Sequence, residues 1–266
     1  MARAPLIRPT DAPSRAHELE PGSTDLGLPA TKPDGPEARS DVPRHVAIIM
    51  DGNRRWARGR GASELEGHAA GVEAIRGLLR HAVRRGIPVL TLYAFSRENW
   101  ARTDDEVVGL FGLLEQAIRS ETAELQAQGV QVRLLGRLDE LPAATRASIE
   151  SALAATADGG RLVLNIAFNY AGRTELVDAV RDIVRSGTPA DAIDEATIST
   201  ALYTAGLPDP DLVIRTGGEQ RLSNFLIWQS AYAELLTTET LWPDFGPGDL
   251  DGALAEFASR TRRFGR

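Results

Sequence analysis

HVAIIMDGNRRWARGRG, His45 to Gly61, sets the frame for the chain. Five apolar side chains, Val46 to Met50, stop at Asp51, and a glycine, an asparagine, two arginines and a tryptophan follow. A short unbroken apolar run bounded by turn residues reads as a strand buried on both faces, as in a parallel sheet. A carboxylate at its end, with cations massed beside it, fits a site in which Asp51 holds a metal and the arginines hold phosphate. A strand end that simply meets solvent would read the same way, so the rest of the chain has to decide.

Outward from this stretch, strand-like and helix-like segments alternate. Residues 67–85 carry apolar positions at helical spacing, with His68 expected at the helix start. Val89–Phe95 reads as a second strand. A long helix capped by Asp104 or Asp105 presents Val107, Leu110, Phe111 and Leu114 on one face, and Gly129 stops it. Val130–Leu135 is a strand, residues 138–157 a helix and residues 161–168 a strand. Residues 174–185 and 196–205 read as helices. Leu212–Arg215 is a short strand, residues 235–240 a candidate sixth, and residues 249–262 a closing helix. This alternation predicts an α/β fold: a single domain with a central, mostly parallel sheet flanked by helices, over residues 41–266. Residues 1–40 stand apart. They hold seven of the fifteen prolines and no aromatic residue, too little apolar surface to offset ordering, and we read them as a disordered tail.

Composition narrows the chemistry. The chain has 266 residues, 42% of them hydrophobic, and a net charge of −7, which argues against nucleic acid as a partner. No apolar run approaches the roughly 20 residues of a membrane span, and no signal-peptide core precedes the domain, so the chain reads as cytoplasmic. With no cysteine, any metal must be held by oxygen or imidazole. Of the 30 basic residues only Lys32 is lysine, so isolated arginines carry little weight and clusters carry more.

In open parallel sheets ligands sit beyond the carboxyl ends of the strands, and each polar cluster falls there. Asp51-Gly52-Asn53-Arg54-Arg55-Trp56 follows the first strand. Asp51 offers a hard oxygen suited to Mg2+, Gly52 lets backbone approach a ligand, and Arg55 offers a planar fork for phosphate. A capped turn with solvated arginines is the plain alternative. FSRENW, Phe95–Trp100, and Arg102 follow the second strand and mix apolar wall with polar rim. NYAGR, Asn169–Arg173, follows the fourth. Arg215, Arg221 and Ser223, with Gly217 and Gly218 between them, make a diphosphate cradle after the fifth. Glu234 is a candidate second carboxylate for a metal. Neither a Walker sequence nor a strand-following GxGxxG is present.

The stretches HVAIIMDGNRRWA, GH at 67–68, LYAFSRENW, NYAGR and DLVIRTGGEQRLSNFLIWQSAYAE, with WPDF and RRFG behind them, resemble the cis-prenyltransferases, the undecaprenyl diphosphate synthase family, over residues 43–265. The resemblance implies a homodimer that condenses isopentenyl diphosphate with an allylic diphosphate, forms a new Z double bond, requires Mg2+, and releases a lipid product able to associate with a membrane. It implies catalytic roles for Asp51 and Asn99, Asn99 being the family's proposed proton acceptor, and Mg2+ ligation by Asp51 and Glu234. Gly52, Asn53, Arg54, Arg55 and His68 would hold the allylic diphosphate. Arg215, Arg221 and Ser223 would hold that of isopentenyl diphosphate, Trp56 and Leu222 would also contact substrate, and Ser96, Arg97, Glu98, Trp100 and Arg102 would line the reacting region. Asn224–Glu234 would sit at the dimer interface, and small Ala94 leaves room for a medium or long product.

Two positions depart from the family pattern. Arg54 stands where glycine is common, and Glu64 where many members carry an arginine, with Arg58 or Arg60 as candidate compensating cations. Two further readings stand beside chain elongation: an irregular coupling or cyclising synthase, and a non-catalytic partner subunit. The intact FSRENW and diphosphate cradle favour elongation.

Overall fold

A computed structural model describes residues 42–260; the tail expected over residues 1–40 lies outside them. The chain runs β1 (His45–Ile49), α1 (Asn53–Gly59), α2 (Glu64–Arg84), β2 (Val89–Ser96), α3 (Asp104–Ala127), β3 (Val130–Leu135), α4 (Ala143–Ala155), β4 (Leu162–Tyr170), α5 (Gly172–Arg185), α6 (Glu195–Ala201), β5 (Leu212–Arg215), β6 (Glu234–Thr237) and α7 (Pro247–Ser259). The strands form one sheet in the order β3-β4-β2-β1-β5-β6, with every neighbouring pair parallel. The fold is the expected single α/β domain. Two helices stand between β1 and β2 and between β4 and β5, and β5 and β6 are joined by turns rather than a helix.

β1 shows why the sheet is covered on both faces. Val46 and Ile48 pack into one core with Leu78 of α2 and Phe257 of α7, while Ala47 and Ile49 pack into another with Tyr170, Phe225 and Leu226. Alternate residues of a strand point to opposite faces, so a continuous apolar run serves two cores at once. A third cluster, Phe95, Trp100, Val107, Phe111, Ile149 and Phe168, joins β2 and β4 to α3 and α4. The chain leaves β1 for β2 on one side and later returns to β5 on the other, which puts the crevice of such sheets between the ends of β1 and β5.

Several boundaries differ from expectation. α2 begins at Glu64 because Ser63 caps it; Ser63 Oγ accepts from the Glu66 N–H at 3.3 Å and the Ser63 N–H donates to Glu66 Oε2 at 2.7 Å. His68 therefore lies a full turn inside the helix, past the free N–H groups that draw anions. Thr103, not Asp104 or Asp105, caps α3. Pro142 splits the helix expected over 138–157 into a short 3-10 turn, Leu138–Glu140, and α4. β6 covers Glu234–Thr237, and α7 starts at Pro247 and ends at Ser259; Thr261 and Arg262, expected in that helix, lie outside the described residues.

A polar string crosses the sheet at its buried centre. Asn165 donates to Thr91 Oγ1 at 2.9 Å, Thr91 Oγ1 lies 2.7 Å from His45 Nε2, and His45 Nδ1 lies 2.7 Å from the Pro208 carbonyl. Burial pushes the His45 imidazole down from 6.5 to about 4. Between these values the unfolded chain takes up a proton that the folded chain refuses, so stability is present above pH 6.5 and is lost as pH falls to about 4. The shift corresponds to about 3 kcal/mol. Denaturant melts across this range should show a steeper loss in the wild type than in His45→Gln; equal slopes would remove His45 as the cause.

Candidate active site

Asp51 follows β1 on a turn fixed from β5. Its N–H donates to Thr216 Oγ1 at 2.9 Å, and the Thr216 hydroxyl donates to the Asp51 carbonyl at 2.6 Å. Gly52 has φ 118°, and a Cβ there would meet Leu241 at 2.9 Å, so only glycine makes this turn without strain. The Asp51 carboxylate lies between two guanidiniums. Arg215 Nη2 donates to Oδ2 at 2.8 Å, and Arg55 Nη2 lies 3.2 Å from Oδ1. Arg55 also donates to the Gly217 carbonyl at 2.6 Å. Gly217 has φ 81°, and a Cβ there would sit 2.4 Å from Arg55 Nη2.

On one side of Asp51 lies a cavity of about 330 Å³ lined by Met50, Asp51 to Arg55, Arg58, His68 and Arg102. Asn53 Nδ2 lies 3.3 Å from His68 Nδ1, and Arg102 Nη1 lies 3.4 Å from His68 Nε2 and 2.7 Å from Glu106 Oε1. Burial, then the Arg102 charge, hold the His68 imidazole below its ordinary value. Gly67 allows α2 to touch α1, since a Cβ would lie 2.4 Å from the Asn53 carbonyl. Glu64 pairs with Arg54 at 2.6 Å, and that hydrogen bond lowers its carboxyl and raises the guanidinium. Of the two candidate compensating cations, Arg58 lines the cavity and Arg60 does not; Arg60 pairs with Asp244 at 3.2 Å and stacks on Trp56 at 4.2 Å.

On the other side, Arg215 is 4% exposed. Its Nη1 donates to the Arg221 carbonyl and to Ser223 Oγ, both at 2.6 Å, and its buried Nε has no partner among the described residues. Ser223, Asn224 and Leu226 all have positive φ, at 49°, 61° and 43°. The loop is held in this shape by Asn224, which donates to Glu98 at 2.8 Å and accepts from the N–H groups of Gly172 and Arg173. The exposed Arg221 side chain pairs with Glu219.

The structure brings Asp51, Gly52, Asn53, Arg54, Arg55, His68 and Arg102 together, and Arg215, Arg221 and Ser223 beside them. Other expected residues lie elsewhere. Trp56 is not among the residues lining the cavity, and its indole donates to Asp244 at 2.7 Å. Arg97 pairs with Glu140. Trp100 is packed among Phe95, Phe111 and Phe168 and donates to Asn169 at 2.8 Å. Leu222 packs against the Phe225 core. Ser96 and Asn99 hold their own turn, the Ser96 N–H donating to Asn99 Oδ1 at 3.0 Å. Glu234 opens β6 beside Leu212 and pairs with Arg260 at 2.9 Å, whereas Asp51 lies past the opposite end of the neighbouring strands. Glu234 therefore does not join Asp51 within the chain. Among the described residues no cluster of three or more acidic, histidine or cysteine side chains forms a metal site. Spacing and composition do not single out Thr216, Asn224 or Glu106. Asn224 carries a legible signal, because asparagine tolerates left-handed backbone; an acid in the first turn of a long helix, as Glu106 is, carries none.

A second cavity, of about 200 Å³, runs between α2, α3 and the sheet, lined by Val72, Ile75, Leu79, Ala94, Leu110, Leu114 and Ile118 among other apolar residues. Met50, Asn53 and His68 line both cavities, so the apolar channel adjoins the arginine-rich cradle. Of the wall expected on α3, Leu110 and Leu114 face it, while Val107 and Phe111 are turned into the aromatic core.

Comparison with known proteins identifies the family. Residues 49–265 match the family described as "Putative undecaprenyl diphosphate synthase". The "Isoprenyl transferase" of Heliobacterium mobile is 50% identical over 228 residues, 84% of this chain and 88% of that one. The "Ditrans,polycis-undecaprenyl-diphosphate synthase ((2E,6E)-farnesyl-diphosphate specific)" of Xanthomonas oryzae pv. oryzae is 47% identical over 244 residues, 90% of this chain and 94% of its own. The crystal structure of lavandulyl diphosphate synthase from Lavandula x intermedia, in complex with dimethylallyl diphosphate, superposes with a TM-score of 0.82 at 39% identity, covering 85% of this chain and 99% of that one. The chain belongs to the undecaprenyl diphosphate synthase family. It is a cis-prenyltransferase, an enzyme of isoprenoid chain elongation.

The buried Arg215 changes what removal of Asp51 should do. Asp51→Ala leaves that guanidinium without its carboxylate and should cost about 1–3 kcal/mol. Thermal melts of Asp51→Ala, Arg215→Ala and the double variant should be non-additive; additive losses would mean that the pair contributes nothing to stability.

Proposed function

We propose that the cavity of Asp51 to Arg55, Arg58, His68 and Arg102 binds an allylic diphosphate, that Arg215, Arg221 and Ser223 bind the diphosphate of isopentenyl diphosphate, and that the apolar channel takes the growing chain. The observation that carries this reading is the junction at Met50, Asn53 and His68, where a cation-rich cradle adjoins a channel walled by aliphatic side chains. A substrate with a charged head and an isoprenoid tail fits such a junction, and each buried CH2 gains about 0.8 kcal/mol.

In this arrangement the arginines orient the leaving diphosphate and stabilise the charge that builds as its C–O bond breaks. The alkene of isopentenyl diphosphate attacks the allylic carbon, a C–C bond forms, and one proton leaves. Asn99 is a poor base, and its amide oxygen already accepts from Ser96, so the proton goes to an oxygen of the departing diphosphate. Asp51, a hard oxygen donor between Arg215 and Arg55, is the carboxylate that would hold Mg2+. When bound, Mg2+ supplies further neutralisation of the leaving group.

The chain also acts as a homodimer in this reading. Val177, Val180 and Val184 form an exposed apolar stripe on α5, with Val184 70% exposed, and Tyr232 in the segment 224–234 is 76% exposed. A second copy would cover these side chains. Light scattering at micromolar concentration should give a dimer; a fully active monomer would refute this part.

The likeness to a lavandulyl synthase keeps irregular coupling as the second reading. Incubation with dimethylallyl diphosphate alone decides between them, since an elongating enzyme gives no product without isopentenyl diphosphate. Arg221→Ala should raise KM for isopentenyl diphosphate roughly tenfold to a hundredfold, the loss of one charge-assisted bond; a rise only in the allylic KM would mean that the two sites are reversed. Ala94 lines the channel, so Ala94→Leu should shorten the products while sparing the first condensation. Ala94 is exposed within the channel, so an unchanged product length would mean that the growing chain does not pass it.

A further inference from the structure

The channel has a seam closed by charge. α2 and α3 run side by side, with Leu65 against Gly109 near the mouth, where a Cβ would meet Leu65 Cδ1 at 2.8 Å. Farther along, Arg76 forks onto Glu121, Nε to Oε2 at 3.0 Å and Nη2 to Oε1 at 2.6 Å, and Arg80 Nε donates to Glu124 Oε1 at 2.8 Å. All four side chains line the channel, and all four are also partly exposed to solvent. They are inner wall and outer surface at once.

Two helices around an apolar channel can be joined by aliphatic packing, and parting such a seam exposes apolar area to water. Exposed ion pairs behave differently. Both heads are hydrated once apart, so parting them exposes no apolar face to water. The stems of arginine and glutamate can lie along an apolar chain while their heads remain in water. The planar guanidinium fork then restores one register on closing. A chain that grows with its head fixed at Asp51 is driven along this wall. Leu110 to Leu125 on α3 spans only about 22 Å of helix, and beyond that length a longer tail needs a way out.

We infer that the Arg76–Glu121 and Arg80–Glu124 pairs are an openable seam through which the tail of a lengthening product emerges between α2 and α3, so that these four residues set product length and release. The inference rests on the channel holding the growing chain, which Ala94→Leu tests separately.

The chain contains no cysteine, so Arg76→Cys/Glu121→Cys in the full chain can be joined by a bis-maleimide with a reducible disulfide in its spacer. The linked enzyme should carry out the first condensation at the unlinked rate in a single turnover. Its multiple-turnover rate should fall about tenfold or more, as release becomes limiting, with truncated products, and reduction of the spacer should restore both. Arg76→Ala/Glu121→Ala should do the reverse, with faster turnover and longer products. Linked and unlinked enzymes giving the same products at the same rate would overturn the inference. Should the linker slow the first condensation too, the alanine pair decides, since it adds no bulk: an unchanged product distribution and rate overturn the seam. If Ala94→Leu shortens products while linking and alanine substitution change nothing, the seam fails and the channel stands. If Ala94→Leu leaves length unchanged, the channel reading itself fails, and the seam with it.

Discussion

The grip of Arg55 and Arg215 on the Asp51 carboxylate is the contact on which the site depends. Arg215 is 4% exposed, and a guanidinium so deeply placed is costly unless a carboxylate and hydrogen-bond acceptors surround it. Asp51, Ser223 and the Arg221 carbonyl meet that need. The requirement reaches into the sheet, because it holds only if β1 and β5 are neighbours with Ile49 opposite Arg215, as they are. Residues 164 positions apart are thereby joined at one turn. The same carboxylate separates the two groups of arginines, which would otherwise repel one another across the crevice. Both guanidiniums are thus paired with one anion across the crevice.

The exchange at Glu64 follows the same logic. Each of three cradle arginines has a carboxylate beside it: Asp51 for Arg55, Glu64 for Arg54 and Glu106 for Arg102. Glu64 is well exposed, so its pair with Arg54 is weak and easily displaced. An acid in place of the family's arginine therefore does not cancel the cradle; it occupies the additional arginine that this chain carries at position 54. Glu106 differs, because it is largely buried beside His68, where burial and the Arg102 charge disfavour a proton on the imidazole.

Much of this was legible in the sequence because parallel strands are buried on both faces. Val130–Leu135 and Leu212–Arg215 coincide with their strands at both ends, and the polar clusters do gather at the carboxyl ends. What sequence spacing could not supply was direction. FSRENW promised Arg97 and Trp100 to the site, but a 3-10 turn over Arg97–Ala101 aims them at Glu140 and Asn169, 43 and 69 residues away. On α3, Leu110 and Phe111 are adjacent, and a step of about 100° along the helix puts one in the channel wall and the other in the core. The cap of α2 is written in SELE at 63–66, yet the apolar period starts later and draws the expected helix start to Gly67. A cap is set by backbone donors rather than by hydrophobic spacing.

Glu234 shows how far topology can overrule composition. An acid that opens a parallel strand enters at the amino end of the sheet, while one that follows a neighbouring strand leaves at the carboxyl end. β5 and β6 are parallel, with Leu212 opposite Glu234 and Arg215 opposite Thr237. The length of β5, about 10 Å at 3.3 Å per residue, therefore separates Glu234 from the level at which Asp51 meets Arg215. No rotamer spans that gap while Glu234 also holds Arg260. Within one chain, the two carboxylates that composition offered for a single ion therefore stand at opposite ends of the sheet.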